Sequence, residues 1–179
     1  MNLRSKKAAF FVNQGGVIAY PTETVWGLGC DPFNQDAVNR LLKIKQRRPE
    51  KGLILVAGSI EQVEPLLKNL KHRKKIIASW PGPVTWIIPG RGLIPQWITG
   101  KHETVAIRVS NHPVVQQLCL DVGHLLVSTS CNRAGKPVVS SAMQAHARFH
   151  QQLDYVLPGK VMKGTPSQII DSETLVRLR

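Results

Sequence analysis

Four cations, Lys45, Arg47, Arg48 and Lys51, fall within seven residues. They are the residue types that neutralise phosphate or carboxylate oxygens. A second cluster, Ser128-Thr129-Ser130-Cys131-Asn132, sets three hydroxyls and a carboxamide directly after an apolar run. The end of a strand is a common place for a ligand in an α/β sheet. A third, Pro21 to Gly29, offers the hydroxyls of Thr22 and Thr24 and the carboxylate of Glu23, while Gly27 and Gly29 permit close backbone approach. Each has a plainer reading beside the chemical one. The cations could be a solvated helix end, the Ser/Asn cluster an Asx or Ser turn, and the Thr/Gly segment a polar turn with glycines for packing. Together they suit the holding of an anionic ligand.

Other chemistries lack their signatures. Gly100-Lys101 has Pro95 where a P-loop needs glycine, and no G-x-G-x-x-G follows a strand. His146 and His150 share a helical face, but Ala147 stands where a zinc protease needs glutamate. No G-x-S-x-G elbow supports a catalytic triad. Cys30, Cys119 and Cys131 are odd in number and widely spaced. They indicate neither a zinc ribbon nor a disulfide frame, and they read as cysteines of a reducing cytoplasm.

The elements that must position these groups alternate between strand and helix. Residues 3 to 14 predict an amphipathic helix stopped by Gly15-Gly16, and Val17 to Tyr20 a buried strand ended by Pro21. Asn34 caps a helix carrying Ala37, Val38, Leu41, Leu42 and Ile44, followed by a strand at Leu53 to Ala57. Ser59 and Gln62 form a capping-box start for a helix through Leu70, and the basic segment Lys71 to Lys75 leads to the turn Trp80-Pro81-Gly82-Pro83. Strands follow at Val84 to Ile88 and Thr104 to Val109, the latter with Ala106 and Arg108 on one face. A helix from Pro113 to Leu120, a strand at Leu125 to Val127, a polar loop from Ser128 to Gly135 and a helix from Ser140 to Phe149 come next. Gln168 to Ile170 and Thr174 to Leu178 read as closing strands. The expected fold is a single α/β domain over 1–179, with a mixed sheet because some connections are too short for helical crossovers.

The chain of 179 residues carries 24 Lys+Arg against 11 Asp+Glu, a formal charge of +13. Such an excess favours a polyanion, nucleic acid first and phosphorylated small molecules second. No apolar run approaches the ~20 residues that span a bilayer. Met1 to Lys7 is basic with only a short apolar stretch behind it, unlike a secretory signal.

The ordered set PTETVWGLG (21–29), KQR (45–47) with KGLIL (51–55), WPGPVT (80–85), TVAIRV (104–109), STSCN (128–132) and PSQIID (166–171) resembles the YrdC family, in its short bacterial TsaC-type form. The resemblance implies a twisted sheet with flanking helices and a basic concave face. It implies synthesis of threonylcarbamoyl-adenylate from L-threonine, bicarbonate and ATP, with release of pyrophosphate, for threonylcarbamoyladenosine modification of tRNA. By motif, Lys45, Arg47, Ser130 and Asn132 match the family's catalytic tetrad. Thr22, Thr24, Arg108, Ser130 and Ser167 fall at threonine-site positions, and Arg47, Lys51, Thr104, Asn132, Ser140 and Arg177 at ATP-site positions. Mg²⁺ is expected mainly on the ATP phosphates, tRNA and the threonylcarbamoyl-transfer proteins as partners, and no membrane. Trp26 replaces a usual Tyr or Phe as an aromatic wall, Ser110 a frequent Pro, and Val56 a His of longer relatives. The rival expectation is a nonenzymatic protein binding double-stranded RNA or tRNA, or a ribosome maturation factor, carried by the charge. A carbamoyl-transfer accessory domain of a hydrogenase-maturation-like enzyme is weaker, since zinc-finger cysteines are absent.

Overall fold

Short apolar runs pair into one eight-stranded sheet in the computed structural model, which describes residues 3–179. Met1 and Asn2, the start of the basic N-terminal stretch, lie outside the described residues. The strands are β1 (Ile18–Pro21), β2 (Trp26–Gly29), β3 (Ile54–Ala57), β4 (Val84–Pro89), β5 (Thr104–Val109), β6 (Leu126–Ser130), β7 (Tyr155–Val156) and β8 (Gln168–Asp171). Their spatial order is β7-β1-β2-β6-β3-β5-β4-β8. The pairs β1–β7, β3–β5 and β4–β8 are parallel, and the other neighbours antiparallel. The mixed sheet matches the expectation from short connections, since the tight β1–β2 turn can join only antiparallel strands.

Helices α1 (Leu3–Asn13), α2 (Gln35–Lys45), α3 (Glu64–Leu67), α4 (Arg73–Ala78), α5 (Gln96–Thr99), α6 (Pro113–Val122) and α7 (Ala142–Phe149) flank it. Side chains alternate across the strands, so Leu55, Ala57, Val105, Ile107 and Val109 join a large core cluster on one face with Val38, Leu41 and Ile76. On the other face, Ile18, Tyr20, Val56 and Leu126 pack under α1 and α6 through Ala8, Val12, Val115 and Leu118. Beyond those helices the same face turns Ile54, Thr85, Arg108, Ser128 and Ser130 toward an open cleft.

Several elements differ from the sequence expectation. Residues 26–29 and 128–130 are strand, not turn and loop, because β2 and β6 pair with each other and so satisfy the backbone of both polar segments. Trp26 is 2% exposed in the large core cluster, on the face opposite the cleft, so it forms no wall there. The capping-box helix from Ser59 breaks into a 3-10 turn, Glu61–Val63, and the short α3. Gln62 is spent elsewhere, accepting from Gly58 N at 2.8 Å and donating to Cys119 O at 2.9 Å. The basic 71–75 segment enters α4, whose Ile76 is buried. Thr174 to Leu178 pairs only through the bridge Ile170–Arg177, because Asp171 Oδ1 gathers Glu173 N and Thr174 N into a turn.

Gly29 marks the tightest passage of the site face. A Cβ there would lie 2.5 Å from Val127 O and 2.7 Å from Tyr20 Cε1. Gly29→Ala is therefore expected to destabilise the protein by about 1–3 kcal/mol through overpacking. A lowered denaturant midpoint at unchanged m-value would register it.

Candidate functional site

Helix α2 delivers the first charged group. Asn34 Oδ1 caps it by accepting from Ala37 N at 3.0 Å, and Val38, Leu41 and Leu42 bury its apolar face. Lys45 sits seven residues after Val38 and four after Leu41, so the same helical face carries its ammonium inward, leaving it 4% exposed. The helix ends at once, with Gln46 left-handed at φ 53. Lys45 Nζ donates to the carbonyl of Ser130, to Asn132 O at 3.0 Å and to Asn132 Oδ1 at 3.1 Å, and lies 3.3 Å from Ser130 Oγ. Ser130 Oγ in turn donates to Asn132 Oδ1 at 2.6 Å, and Asn132 Nδ2 to Lys136 O at 2.6 Å. Three ammonium protons therefore meet three oxygens of one loop, and the tetrad's lysine holds its serine and asparagine in place. Burial, and after it the nearby positive Arg47, lower the Lys45 ammonium to about 8. Cys131, between Ser130 and Asn132, is fully buried and its thiol is pushed up to about 12 by burial. It is no nucleophile.

Strand β5 delivers the second. Alternation along Thr104–Val109 turns Arg108 to the cleft face, where Nη2 lies 3.1 Å from Glu23 Oε2. Glu23 is 5% exposed and also accepts from Ser110 Oγ at 2.5 Å. Arg108 Nε has no hydrogen-bond partner. A cavity of about 320 Å³ brings together Thr22, Thr24, Arg108, Ser130 and Ser167. Thr22 Oγ1 donates within its own turn to Val25 O at 2.7 Å. Ser167 Oγ accepts from Thr85 Oγ1 at 2.9 Å. A segment that crosses the Thr22–Glu23 turn brings Ser167 there: Met162 N bonds Thr22 O at 3.2 Å and Gly164 N bonds Glu23 O at 3.1 Å. Only glycine fits at 164, since a Cβ would lie 2.9 Å from Glu23 O.

An adjoining cavity of about 350 Å³ has an apolar floor of Ile54, Ile87, Ala106 and Ile169, with Arg47, Lys51 and Thr104 at its rim. Arg47 Nη2 donates to Gly52 O at 2.9 Å, which fixes its side chain across the loop after α2. Burial lowers its guanidinium from the usual range, without discharging it. Arg47, Ile54 and Arg179 line both cavities, which therefore form one cleft. A further recess of about 370 Å³ adds Lys45, Arg48 and Asn132 to Arg47, Lys51 and Ser130.

Two expected residues stand apart. Ser140 binds Gln144 Oε1 through N and Oγ at the start of α7. Arg177 Nε donates to Arg179 O at 3.0 Å, and it is Arg179 that reaches the cleft, with Nη2 3.3 Å from Ser167 O. Sequence reasoning left Glu23, Thr85, Ser110 and Arg179 without site roles. Alternation could have found Thr85, since its neighbour Trp86 is a core residue; no local pattern marks Arg179. The cleft thus offers a guanidinium and hydroxyls at one end, an apolar floor under cations at the other, and the Lys45–Ser130–Asn132 cluster beside their junction.

Residues 11–179 match the Sua5–YciO–YrdC family, described as "Telomere recombination". The threonylcarbamoyl-AMP synthase of Cellvibrio japonicus is 50% identical over 174 residues, covering 96% of this chain and 92% of that one. The enzyme of the same name from Pseudomonas entomophila is 50% identical over 174 residues, covering 96% and 94%. Sua5 of P. abyssi complexed with L-threonine superimposes with a TM-score of 0.84 at 33% identity, covering 93% of this chain and 50% of that one. YciO of E. coli gives a TM-score of 0.84 at 26% identity, covering 98% and 87%. The chain spans about half the length of the Sua5 chain, and nearly all of the bacterial synthases.

Proposed function

Because the chain belongs to the Sua5–YciO–YrdC family over residues 11–179, we propose that it is a threonylcarbamoyl-AMP synthase. It joins L-threonine, bicarbonate and ATP into threonylcarbamoyl-adenylate, with release of pyrophosphate and water. The observation that carries this reading is the single cleft with a carboxylate-binding end and a nucleotide-sized end meeting at Arg47. Arg108, with an unspent Nε, grips the threonine carboxylate, and Thr24, Ser130 and Ser167 surround the rest of the amino acid. The adenosine rests on Ile54, Ile87, Ala106 and Ile169, and the triphosphate runs along Arg47 and Lys51.

The threonine amine takes the carbon of bicarbonate, losing water, and becomes a carbamate. A carbamate oxygen then bonds to the α-phosphorus of ATP as the bond to the bridging oxygen of the β-phosphate breaks, and pyrophosphate carries that electron pair away. Negative charge grows on the phosphoryl oxygens beside Arg47 and the Lys45 cluster, where fixed donors stabilise it without reorganising. Among the described residues no cluster of three or more His, Cys, Asp or Glu side chains is arranged to hold a metal ion. A magnesium ion would therefore sit on the phosphates, adding charge neutralisation there.

The product serves threonylcarbamoyladenosine modification of tRNA. The +13 charge supports a contact with RNA as a second property of this basic protein. No helix among the described residues is long and apolar enough to cross a membrane. The three cysteines are free and buried, which suits a reducing cytoplasm. To test the reading, the protein is incubated with ATP and bicarbonate, with or without L-threonine, and pyrophosphate and the adenylate are quantified together. Threonine-dependent formation of both is expected. A folded protein that binds RNA in a salt-sensitive way but forms neither would leave only the RNA-binding reading. Within the same assay, Lys51→Ala is expected to raise the KM for ATP about tenfold with the KM for threonine unmoved, as for loss of one charge-assisted phosphate contact.

A further inference from the structure

We propose that Glu23 is a positioning residue which, clamped by Ser110, aims Arg108 and thereby sets the site's selectivity for an amino acid with a free carboxylate. The inference rests on the threonine-site reading above. Glu23 is 5% exposed and does not itself line the cavity, whereas Arg108 does. Its carboxylate divides its two oxygens. Oε1 accepts from Ser110 Oγ at 2.5 Å, and Oε2 lies 3.1 Å from Arg108 Nη2.

Ser110 is itself fixed on several sides. It is fully buried, its N–H donates to Ala57 O at 3.0 Å, its Oγ accepts from His112 N at 3.1 Å, and its carbonyl accepts from Gln116 Nε2 at 2.9 Å. The clamp therefore runs from strand β3 through Ser110 to Glu23 and only then to the guanidinium. Glu23 cannot drift, because its own carbonyl is bonded to Gly164 N at 3.1 Å.

A guanidinium left alone at 9% exposure would swing toward water, since burial of an unpaired charge is costly. Glu23 engages it at Nη2 and leaves Nε without a partner. The fixed anion so holds one edge of the fork while other donors stay unspent for a second carboxylate, that of the substrate. Arg108 is then bridged between two anions, one permanent and one arriving. An uncharged amide in the substrate's place gains much less from this arrangement.

Calorimetric titration of the full chain with L-threonine and with L-threoninamide, and separately with ATP, tests the proposal. Glu23→Gln is expected to reduce the ratio of threonine to threoninamide affinity by about tenfold, the worth of one charge-assisted hydrogen bond, with ATP affinity unchanged. Ser110→Ala, which keeps the carboxylate and removes only its clamp, is expected to shift the ratio in the same direction by a smaller factor, and it carries the test if Glu23→Gln does not fold. Arg108→Gln is the reference. If Arg108→Gln collapses the ratio while folded Glu23→Gln and Ser110→Ala preserve or raise it, the role of Glu23 is overturned and the threonine site stands. Equal loss for both ligands in the Glu23 variant overturns it too, as a merely structural effect. If Arg108→Gln leaves the ratio intact, the threonine-site reading itself fails.

Discussion

Lys45→Met is expected to lower adenylate formation by about 10²–10³-fold, the usual cost of losing a preorganised electrostatic group. The methionine fills the space of the aliphatic stem but takes the proton donors away from Ser130 O, Asn132 O and Asn132 Oδ1. Those oxygens are left short of partners, at a cost of about 1–3 kcal/mol, and the loop loses the shape that presents Ser130 and Asn132. The wild-type pH dependence follows from the same group. Burial and Arg47 hold the Lys45 ammonium at about 8, below the ordinary lysine range. Activity is therefore expected to fall as pH rises through about 8, and initial rates of pyrophosphate release across about pH 6 to 10 would record it. The contribution of Lys45 to stability has the opposite sign. Between about 8 and the ordinary lysine value the unfolded chain binds the extra proton, so the folded state gains stability as pH rises there and loses it as pH falls back through about 8. Activity and stability moving apart over one pH window would be the signature of this lysine.

Arg108→Ala carries the other large effect. It removes the cation paired with Glu23, whose carboxylate remains buried with only Ser110 Oγ as a donor. Breaking a buried pair from one side typically costs about 3–5 kcal/mol, which for a chain of this size lowers the melting temperature by roughly 10 °C. Threonine binding should weaken at the same time by about 10²-fold, the loss of a bidentate charge-assisted contact. Thermal unfolding checks the first outcome and calorimetry with L-threonine, below the new melting temperature, the second. The two effects arise from one residue because the arginine balances a buried carboxylate before substrate arrives.

Much of this was legible from residue types and alternation. The period-two pattern of 104–109 put Arg108 opposite Val105, Ile107 and Val109, and the structure keeps it there. Asn34 and the apolar spacing of α2 fixed the helix whose last turn carries Lys45 inward. Other features depend on what lies across the sheet. The polar run Ser128 to Ser130 becomes strand because β2 and β3 bond to its two edges, and β7 is two residues that extend only because β1 offers an edge. Gln62 looked like half of a capping box, but a carbonyl on α6 claims its amide. At the C-terminal segment a turn nucleated by Asp171 decides that Arg179 and not Arg177 faces the cleft, and nothing local to either arginine distinguishes them. Glu23 was visible as a carboxylate beside two threonines, yet its partners lie 85 and 87 residues further along the chain.

The most direct measurement is a crystal structure of the protein with L-threonine and a non-hydrolysable ATP analogue bound together. The threonine carboxylate is expected against Arg108 in the cavity shared with Ser130 and Ser167, the adenosine over Ile54 and Ile169, and the α-phosphate at the junction beside Arg47 and the Lys45–Asn132 cluster. Threonine bound away from Arg108, or a nucleotide whose α-phosphate lies out of reach of the threonine amine, would contradict a single cleft that joins them.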